Sequence, residues 1–389
     1  MRGNITKRGK TYTIVLDIGR DDNGKRKQTT KGGYKTKKEA EKALSELIVK
    51  IEKGDYFVSE NMLFKDYLEK WVNEYCINNL TPKTIKTYNQ LIETYIAPKL
   101  GNIKIDKLKP LDLQSFYNYL QNDLNLSGTT ALHCHEVINV SLKHAVQWQM
   151  LNRNIATSVQ RPKKAKKEML VLTAEQTNML LERLKNLSLY IPVLLAVTTG
   201  LRRGEILGLT WKNVDLDGGV IYVVNQLQKI DGVFKLVPTK TAGSKRKIAL
   251  LPYTIPILRN LRKLQIEHKL LLGSEYNKLN LVYPQVNGTP YDPDYISRHF
   301  LRTMDVISAE LEIPKIRFHD LRHTHATLLL SRNVNPKIVS ERLGHCGISI
   351  TLDTYSHVLP DMQKEAADTL NNLFISTHSC IEEETYESI

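Results

Sequence analysis

His319-Asp320-Leu321-Arg322, followed by Leu343-Gly344-His345 and then by Tyr355, is the most informative pattern in this chain of 389 residues. In order, these residues supply an imidazole, a guanidinium, a second imidazole and a phenol. Together they are the groups that an enzyme needs for a tyrosine phenol to attack a phosphodiester. A guanidinium binds two phosphate oxygens at once, and an imidazole exchanges protons near neutral pH. The pattern therefore indicates chemistry on phosphodiesters.

Two further cations lie upstream of this pattern. Arg202 stands in Thr-Gly-Leu-Arg-Arg-Gly-Glu at 199–205, and Lys240 stands in Thr-Lys-Thr just before an Ala-Gly turn. Because a phenol has a pKa near 10, a positively charged site would help it to ionise as well as bind the phosphate. The ordered set resembles the active site of the tyrosine recombinases (integrases), most specifically over 196–360.

The resemblance implies a role for each residue of the set. Tyr355 would be the nucleophile, and Lys240 would be the general acid that protonates the 5′ oxygen. The phosphate clamp would be Arg202 and Arg322, with Arg203 as the alternative to Arg202. The remaining expected roles are proton handling and phosphate binding by His319 and His345, orientation of Arg202 by Glu205, and a secondary phosphate contact by His357.

Composition and charge indicate a polyanionic partner. The net charge is +14 and the sequence pI is about 9.4, which favours nucleic acid first and an anionic membrane second. No apolar stretch approaches the roughly 18 residues of a membrane-spanning helix, and the N-terminus lacks the apolar run of a secretory signal. The four cysteines lie far apart, which fits a reducing cytoplasm. We therefore expect a DNA-associated protein of the bacterial cytoplasm, with no membrane partner.

The patterns predict a multidomain α+β protein with a small N-terminal β-sheet plus helix, an all-helical domain, and a mainly helical catalytic domain with a small antiparallel sheet. The expected divisions are an arm-type DNA-binding domain at 1–57, a helical core-binding domain at 60–160, a basic linker at 161–167, the catalytic domain at 168–375, and an acidic, disordered tail at 376–389.

The N-terminal 57 residues carry 15 Lys and Arg against 8 Asp and Glu, which is half of the net charge of the chain. Alternation over 12–18 predicts a strand, Asp22-Asn23-Gly24 predicts a hairpin turn, and 25–30 predicts a returning basic strand. Thr36 is the expected cap of a following helix. The candidate DNA contacts of this domain are Lys25, Arg26 and Lys27.

The segment 80–101, LTPKTIKTYNQLIETYIAPKLG, is similar to the opening of the integrase core-binding domain. Thr81-Pro82 predicts a helix start, and Pro98 predicts its end after about Tyr95. Further helices are expected over 110–120 and 127–149. The candidate phosphate contacts are Lys83, Thr84, Lys86 and Tyr88 here, and Lys163, Lys164, Lys166 and Lys167 in the linker.

The third domain opens with Thr173 and Gln176, which are spaced as a capping box. An apolar helix is expected over 189–197. Strands are expected over 220–224, 227–230, 233–237 and 246–250, with a turn at Asp231-Gly232. Beyond the nucleophile, 361–374 is expected to form an amphipathic helix that packs either on its own subunit or on a neighbouring one.

Three rival functions are compatible with parts of the sequence. His319 and His323 have the i,i+4 spacing of a helical metal pair, which would suit a zinc hydrolase, but Asp320 stands where a zincin has Glu. A DNA-binding regulator without catalysis would be expected to lack at least one site residue. A type IB topoisomerase shares the chemistry, but a basic N-terminal domain favours an integrase.

The preferred hypothesis is a site-specific recombinase that integrates and excises a mobile element through a 3′-phosphotyrosyl intermediate. The linkage conserves the phosphodiester energy, so no metal, ATP or other cofactor is expected. The expected partners are double-stranded DNA with core and arm sites and three further copies of the chain in a tetramer. An accessory directionality factor and a host DNA-bending protein complete the set that the resemblance implies.

Overall fold

The computed structural model describes residues 3–20, 26–52, 61–164, 169–239 and 245–355, together with 367–368, 370–372 and 374. The chain divides into two compact units, Met1–Lys167 and Glu168–Ile389. Within the described residues, no helix is both long and apolar enough to span a membrane.

The first unit begins with a three-stranded antiparallel sheet and one helix. The strands are β1 (Gly3–Arg8), β2 (Thr11–Arg20) and β3 (Arg26–Tyr34), and the helix is α1 (Lys37–Glu52). The predicted cap at Thr36 is confirmed, because the Glu39 backbone N–H donates to the Thr36 hydroxyl at 3.2 Å. Ile14, Leu16, Ala40 and Leu47 form the core between sheet and helix. The sequence analysis did not predict β1, and the predicted turn at 22–24 lies outside the described residues.

The remainder of this unit is helical, as predicted. Its helices are α2 (Phe64–Trp71), α3 (Ile77–Asn79), α4 (Pro82–Leu91), α5 (Ala97–Leu100), α6 (Pro110–Asn118) and α7 (Gly128–Gln147). Wide π-helical turns at Val72–Cys76 and Ile92–Ile96 join α2 to α3 and α4 to α5, and a third extends α6 over Tyr119–Asp123. The Thr81 side chain caps α4 by accepting from the Thr84 backbone N–H.

The prediction that Pro98 ends the helix after about Tyr95 was wrong. The helical path continues to Leu100, because the π turn lets the Ala97 backbone N–H donate to the Ile92 carbonyl. Pro98 follows this wide turn as the second residue of α5.

The second unit is a helical bundle with small antiparallel sheets. Its helices are α8 (Ala174–Leu184), α9 (Tyr190–Thr199), α10 (Arg203–Leu207), α11 (Thr254–Leu272), α12 (Pro293–Glu310), α13 (Asp320–Leu330), α14 (Pro336–Leu343) and α15 (Ile348–Tyr355). The capping box of Thr173 and Gln176 at α8 is confirmed. The apolar helix α9 is buried along nearly its whole length, as its composition predicted.

The strands of this unit form two sheets where the sequence predicted one. They are β4 (Val214–Asp215), β5 (Val220–Val223), β6 (Asn225–Ile230), β7 (Val233–Pro238) and β8 (Arg246–Ala249). β4, β5 and β8 form one sheet, and β6 and β7 form a separate hairpin. The division arises because β8 returns to pair with β5, with Ile221 opposite Ile248. Among the described strands, β6 and β7 pair only with each other.

Two predicted segments fall outside the described residues, at least in part. The Ala242-Gly243 turn lies there entirely. Of the predicted helix over 361–374, the structure describes 367–368, 370–372 and 374, which are helical and exposed.

Candidate active site

Five of the six predicted catalytic residues lie in the described part of the second unit. Arg202 precedes α10, His319 precedes α13, Arg322 lies in α13, His345 follows α14 and Tyr355 ends α15. Lys240 and His357 lie outside the described residues.

Three arginines are attached to the carboxyl end of α14. This helix ends at Leu343, and Gly344 takes the left-handed conformation with φ of +67°. The last carbonyls of a helix lack helical partners and carry partial negative charge. Three consecutive carbonyls accept guanidinium N–H groups here: Arg342 from Arg246 at 2.7 Å, Leu343 from Arg322 at 2.7 Å, and Gly344 from Arg202 at 3.2 Å.

Arg322 is the most deeply placed cation of the predicted clamp, with 4% of its surface exposed. Its guanidinium also donates to the Gly200 carbonyl at 2.6 Å. Burial and the nearby Arg202 lower the pKa of Arg322 to about 9, so it is still charged at neutral pH. Carbonyls are neutral acceptors, so these two hydrogen bonds fix the guanidinium without cancelling its charge. The arrangement suits the binding of an anion.

Glu205 lies between Arg202 and a second arginine, Arg246. The Glu205 carboxylate is 3% exposed and accepts from Arg202 at 2.9 Å and from Arg246 at 2.8 and 3.1 Å. Burial alone would raise its pKa, but the hydrogen bonds and charges of both arginines keep the pKa of Glu205 below its ordinary value. Glu205 therefore fixes the orientation of Arg202 as an ionised group.

The two adjacent arginines point to different partners. The Arg203 guanidinium contacts Asp294 at 3.1 Å and Ser297, both on α12. Arg202 instead reaches Gly344, next to His345. Its side chain is 38% exposed, so it is also accessible to a ligand. Of the two, Arg202 is the one at the predicted site.

Tyr355 is buried at the end of α15, with 1% of its surface exposed. Its ring packs in a small core with Ala326, Leu330, Val339 and Leu343. The phenol oxygen lies 2.7 Å from Nδ1 of His323. Burial raises the pKa of Tyr355 to about 12, and the Arg322 charge opposes this rise.

The two predicted histidines differ in burial and in their partners. His345 is half-buried, and its Nδ1 lies 2.8 Å from the Thr351 hydroxyl. Burial, Arg322 and Arg202 lower the pKa of His345 to about 4. His319 presents more surface, but the surrounding chain and Arg322 also lower its pKa. Both imidazoles are therefore neutral at physiological pH before an anion binds.

A third histidine of the stretch belongs to the framework. His325 is buried; its Nδ1 lies 2.8 Å from the Val197 carbonyl, and its Nε2 accepts from Arg342 at 3.1 Å. The rings of His319 and His323 are perpendicular, with centroids 5.0 Å apart. In the described ranges, no group of three or more His, Cys, Asp or Glu is placed to hold a metal ion.

The structure places three further residues at the site: Arg246 and Arg342, which the sequence analysis did not assign, and His323, which it named only as half of a possible metal pair. Arg246 stands between two lysines in a run of three basic residues, a pattern typical of an exposed segment. Strand alternation was the available signal, because Arg246 and Ile248 share the covered face of β8 while Lys247 is exposed.

The predicted DNA contacts of the first unit differ in their surroundings. Lys83, Lys86, Lys163 and Lys164 are exposed. The Thr84 hydroxyl bonds the Thr81 hydroxyl at 2.9 Å, and the Tyr88 ring stacks on Trp71 with centroids 5.9 Å apart. Arg26 and Lys27 lie in β3, and Lys25, Lys166 and Lys167 lie outside the described residues.

Comparison with known proteins identifies the family. The phage integrase family matches residues 170–362, an arm DNA-binding domain matches 4–51, and the phage integrase N-terminal SAM-like domain matches 63–121. A tyrosine recombinase XerC-like protein of Caldanaerobacter subterraneus subsp. tengcongensis is 32% identical over 390 residues, which cover 96% of this chain and 99% of that protein. The chain is a tyrosine recombinase.

Further comparisons agree with this assignment. The ICEBs1 integrase of Bacillus subtilis is 26% identical over 77% of this chain and 80% of its own length. The Tn1549 transposon integrase has the same fold, with a TM-score of 0.68 at 22% identity over 80% of this chain and 99% of that one. Lambda integrase also matches, with a TM-score of 0.55 at 18% identity over 92% of this chain and 95% of that one. These likenesses confirm the predicted fold class, and the family membership establishes the activity as cutting and rejoining DNA in site-specific recombination.

Proposed function

We propose that this recombinase integrates and excises a mobile DNA element, with Tyr355 as the nucleophile. The observation that carries the proposal is that the Tyr355 oxygen lies 2.7 Å from Nδ1 of His323, the residue after Arg322 on α13, while Arg322 and Arg202 are held by adjacent carbonyls of one helix end. A phosphate bound there would meet two guanidinium groups, and the Tyr355 phenol, which is buried in the free protein, must turn toward it to attack.

In this mechanism the Tyr355 oxygen attacks phosphorus and forms a 3′-phosphotyrosyl bond. Arg202 and Arg322 stabilise the negative charge that grows on the non-bridging oxygens; a single donor of this kind contributes about 10²–10³-fold in rate. Lys240 protonates the departing 5′ oxygen, and His319 and His345 bind the phosphate and exchange protons. His357 would add a phosphate contact.

The covalent linkage conserves the energy of the broken phosphodiester. A 5′ hydroxyl from a partner strand can therefore reverse the step, and neither ATP nor a divalent metal ion is required. The proposed site supplies its positive charge from side chains, which is the role that a metal ion fills in many other phosphoryl-transfer enzymes.

The proposed partners are DNA and further copies of the chain. Solved relatives include a lambda integrase dimer bound to a core site and a tetramer bound to a Holliday junction. We propose that 1–57 binds arm sites, that 60–160 and the catalytic domain bind the core site, and that four copies assemble on DNA in the bacterial cytoplasm. A directionality factor and a host DNA-bending protein would set the direction of the reaction.

The proposal is tested by trapping the covalent intermediate. Wild-type protein is incubated with a pool of nicked, randomised duplexes in EDTA without ATP, and adducts that survive denaturant are counted and their DNA sequenced. Tyr355→Phe should abolish the adduct. Tyr295→Phe removes a hydroxyl from an exposed, stacked ring elsewhere in the same unit and should leave the adduct unchanged.

Two results would contradict the proposal. An adduct that survives in Tyr355→Phe would assign the nucleophile to another residue. A requirement for a divalent metal ion would contradict a mechanism that depends on side-chain cations alone.

A further inference from the structure

His323 is in hydrogen-bond contact with the proposed nucleophile. Its Nδ1 lies 2.7 Å from the Tyr355 oxygen, and the two rings are 5.7 Å apart with an interplanar angle of 55°. In the part of the chain that the structure describes, this is the single hydrogen bond of the phenol. His323 lies on α13 one turn after His319 and next to Arg322, so it faces the same site.

The other imidazoles of the site have different partners. Nδ1 of His345 contacts the Thr351 hydroxyl, and both nitrogens of His325 are engaged by Val197 and Arg342. The ring of His319 meets the ring of His323 edge to face. Among the described histidines, His323 is therefore the one placed to exchange a proton with the Tyr355 oxygen.

We propose that His323 is a further catalytic residue, which fixes the Tyr355 phenol and accepts its proton as the oxygen attacks phosphorus. The inference rests on the proposed role of Tyr355. The phenolic O–H bond breaks and its proton forms an N–H bond at His323 Nδ1, while the new P–O bond forms. The bond between phosphorus and the 5′ oxygen breaks, and the 5′ oxygen takes a proton from Lys240. Religation returns both protons.

The charges around His323 connect this step to DNA binding. Burial and neighbouring groups lower the pKa of His323 to about 4, so the imidazole is neutral and able to accept a proton. A phosphate bound at the site would offset the Arg322 charge, which is one of the groups that lower this pKa, and would raise the basicity of His323 at the moment when the phenol must ionise. The titratable and charged groups that face it are Tyr355, His319, Asp320, Arg322, Arg317 and His345.

The test compares His323→Asn with His323→Ala in adduct formation on nicked duplex. Asparagine places a hydrogen-bonding atom at the position of Nδ1 but cannot take up a proton. Both variants should form the adduct about 10²-fold or more slowly than wild type, the usual contribution of a general base. The rate of the wild type should fall as acid protonates His323, and the fall should be shallower in His323→Asn, in which His345 still titrates over the same range. His268→Asn, a change of the same kind on α11, should behave as wild type.

Further measurements keep the outcome interpretable. Thermal unfolding and DNA binding show whether each variant is folded. A substrate with sulfur in place of the 5′ bridging oxygen needs no proton on its leaving group, so it should restore Lys240→Ala but not His323→Asn. If Tyr355→Phe retains the adduct, the proposed function itself fails. If Tyr355→Phe loses the adduct while His323→Asn keeps the wild-type rate and pH profile, the role of His323 is overturned. Faster cleavage by His323→Ala would show that the contact restrains the nucleophile, and would also overturn the proposed role of His323.

Discussion

Replacing Gly344 with alanine tests whether the carboxyl end of α14 orients the arginines. Gly344 has φ of +67°, which costs a residue with a Cβ about 1–2 kcal/mol. For a domain of 150–250 residues this lowers Tm by about 2–8 °C. The added Cβ would also lie 3.0 Å from Nη1, 3.1 Å from Cδ and 3.3 Å from Cζ of Arg246. The guanidinium must therefore move by a few tenths of an ångström.

This displacement would reach the proposed clamp through Glu205. Arg246 holds both carboxylate oxygens of Glu205, and Glu205 holds Arg202. Since a misplacement of about 1 Å at a reacting centre can cost about 10²-fold in rate, we expect a loss of about tenfold for the smaller shift. Thermal unfolding and the rate of adduct formation measure the two effects separately.

Gly219→Ala is the matched control for the backbone term. Gly219 has φ of +63° in the same unit, and its added Cβ would meet the nearest atom, Cδ1 of Ile255, at an ordinary 3.4 Å. It should lower Tm by a similar amount and leave the cleavage rate unchanged. If Gly344→Ala also keeps the wild-type rate, the helix end does not orient the clamp and the reasoning is refuted.

Two other predictions concern pH and salt. His325 is buried, and burial lowers its pKa from 6.5 to about 4. Between these two pH values the unfolded state therefore binds more protons than the folded state. The free energy of unfolding should be highest above pH 6.5 and should fall by up to about 3 kcal/mol on acidification toward pH 4. Unfolding curves of His325→Asn should show a shallower pH dependence, and an unchanged one would assign the acid sensitivity elsewhere. If the exposed Lys83 and Lys86 bind phosphates, changing each to alanine should weaken DNA binding and reduce the log–log salt slope by about 1 per residue; an unchanged slope would remove that lysine from the interface.

The sequence was most predictive where one local pattern has one structural solution. Thr36, Thr81 and Thr173 all cap helices as predicted, because a hydroxyl at the start of a helix satisfies a free N–H group. The helix break at Pro98 was wrong because an upstream π turn changed which carbonyl each N–H meets. The π turn depends on packing over several turns of helix, so it could not be predicted from the position of Pro98 alone.

The residue types of the candidate site could be predicted from the sequence, but their hydrogen-bond partners could not. Guanidinium chemistry indicated that arginines would bind the phosphate, and the resemblance to the tyrosine recombinases selected Arg202 and Arg322 among them. The carbonyls that hold these arginines could not be predicted, because every residue has a backbone carbonyl and the sequence does not mark which ones accept a hydrogen bond. His323 was noticed only as the second half of a metal-like pair, since its distance to Tyr355, 32 residues away, depends on how α13 and α15 pack.

The use of carbonyls to hold the arginines is consistent with the proposed chemistry of the site. A carboxylate paired with each guanidinium would fix it equally well, but it would compete with the phosphate for the same charge. At this site one ionised carboxylate, Glu205, is shared by Arg202 and Arg246, and Arg322 is held by Gly200 and Leu343 through neutral oxygens. Burial lowers the pKa of His345, His319 and Arg322, and the excess positive charge, which is unfavourable in the free protein, lowers it further. An arriving phosphate would relieve this repulsion, so part of the binding energy of DNA would come from electrostatic strain that folding has already built into the site.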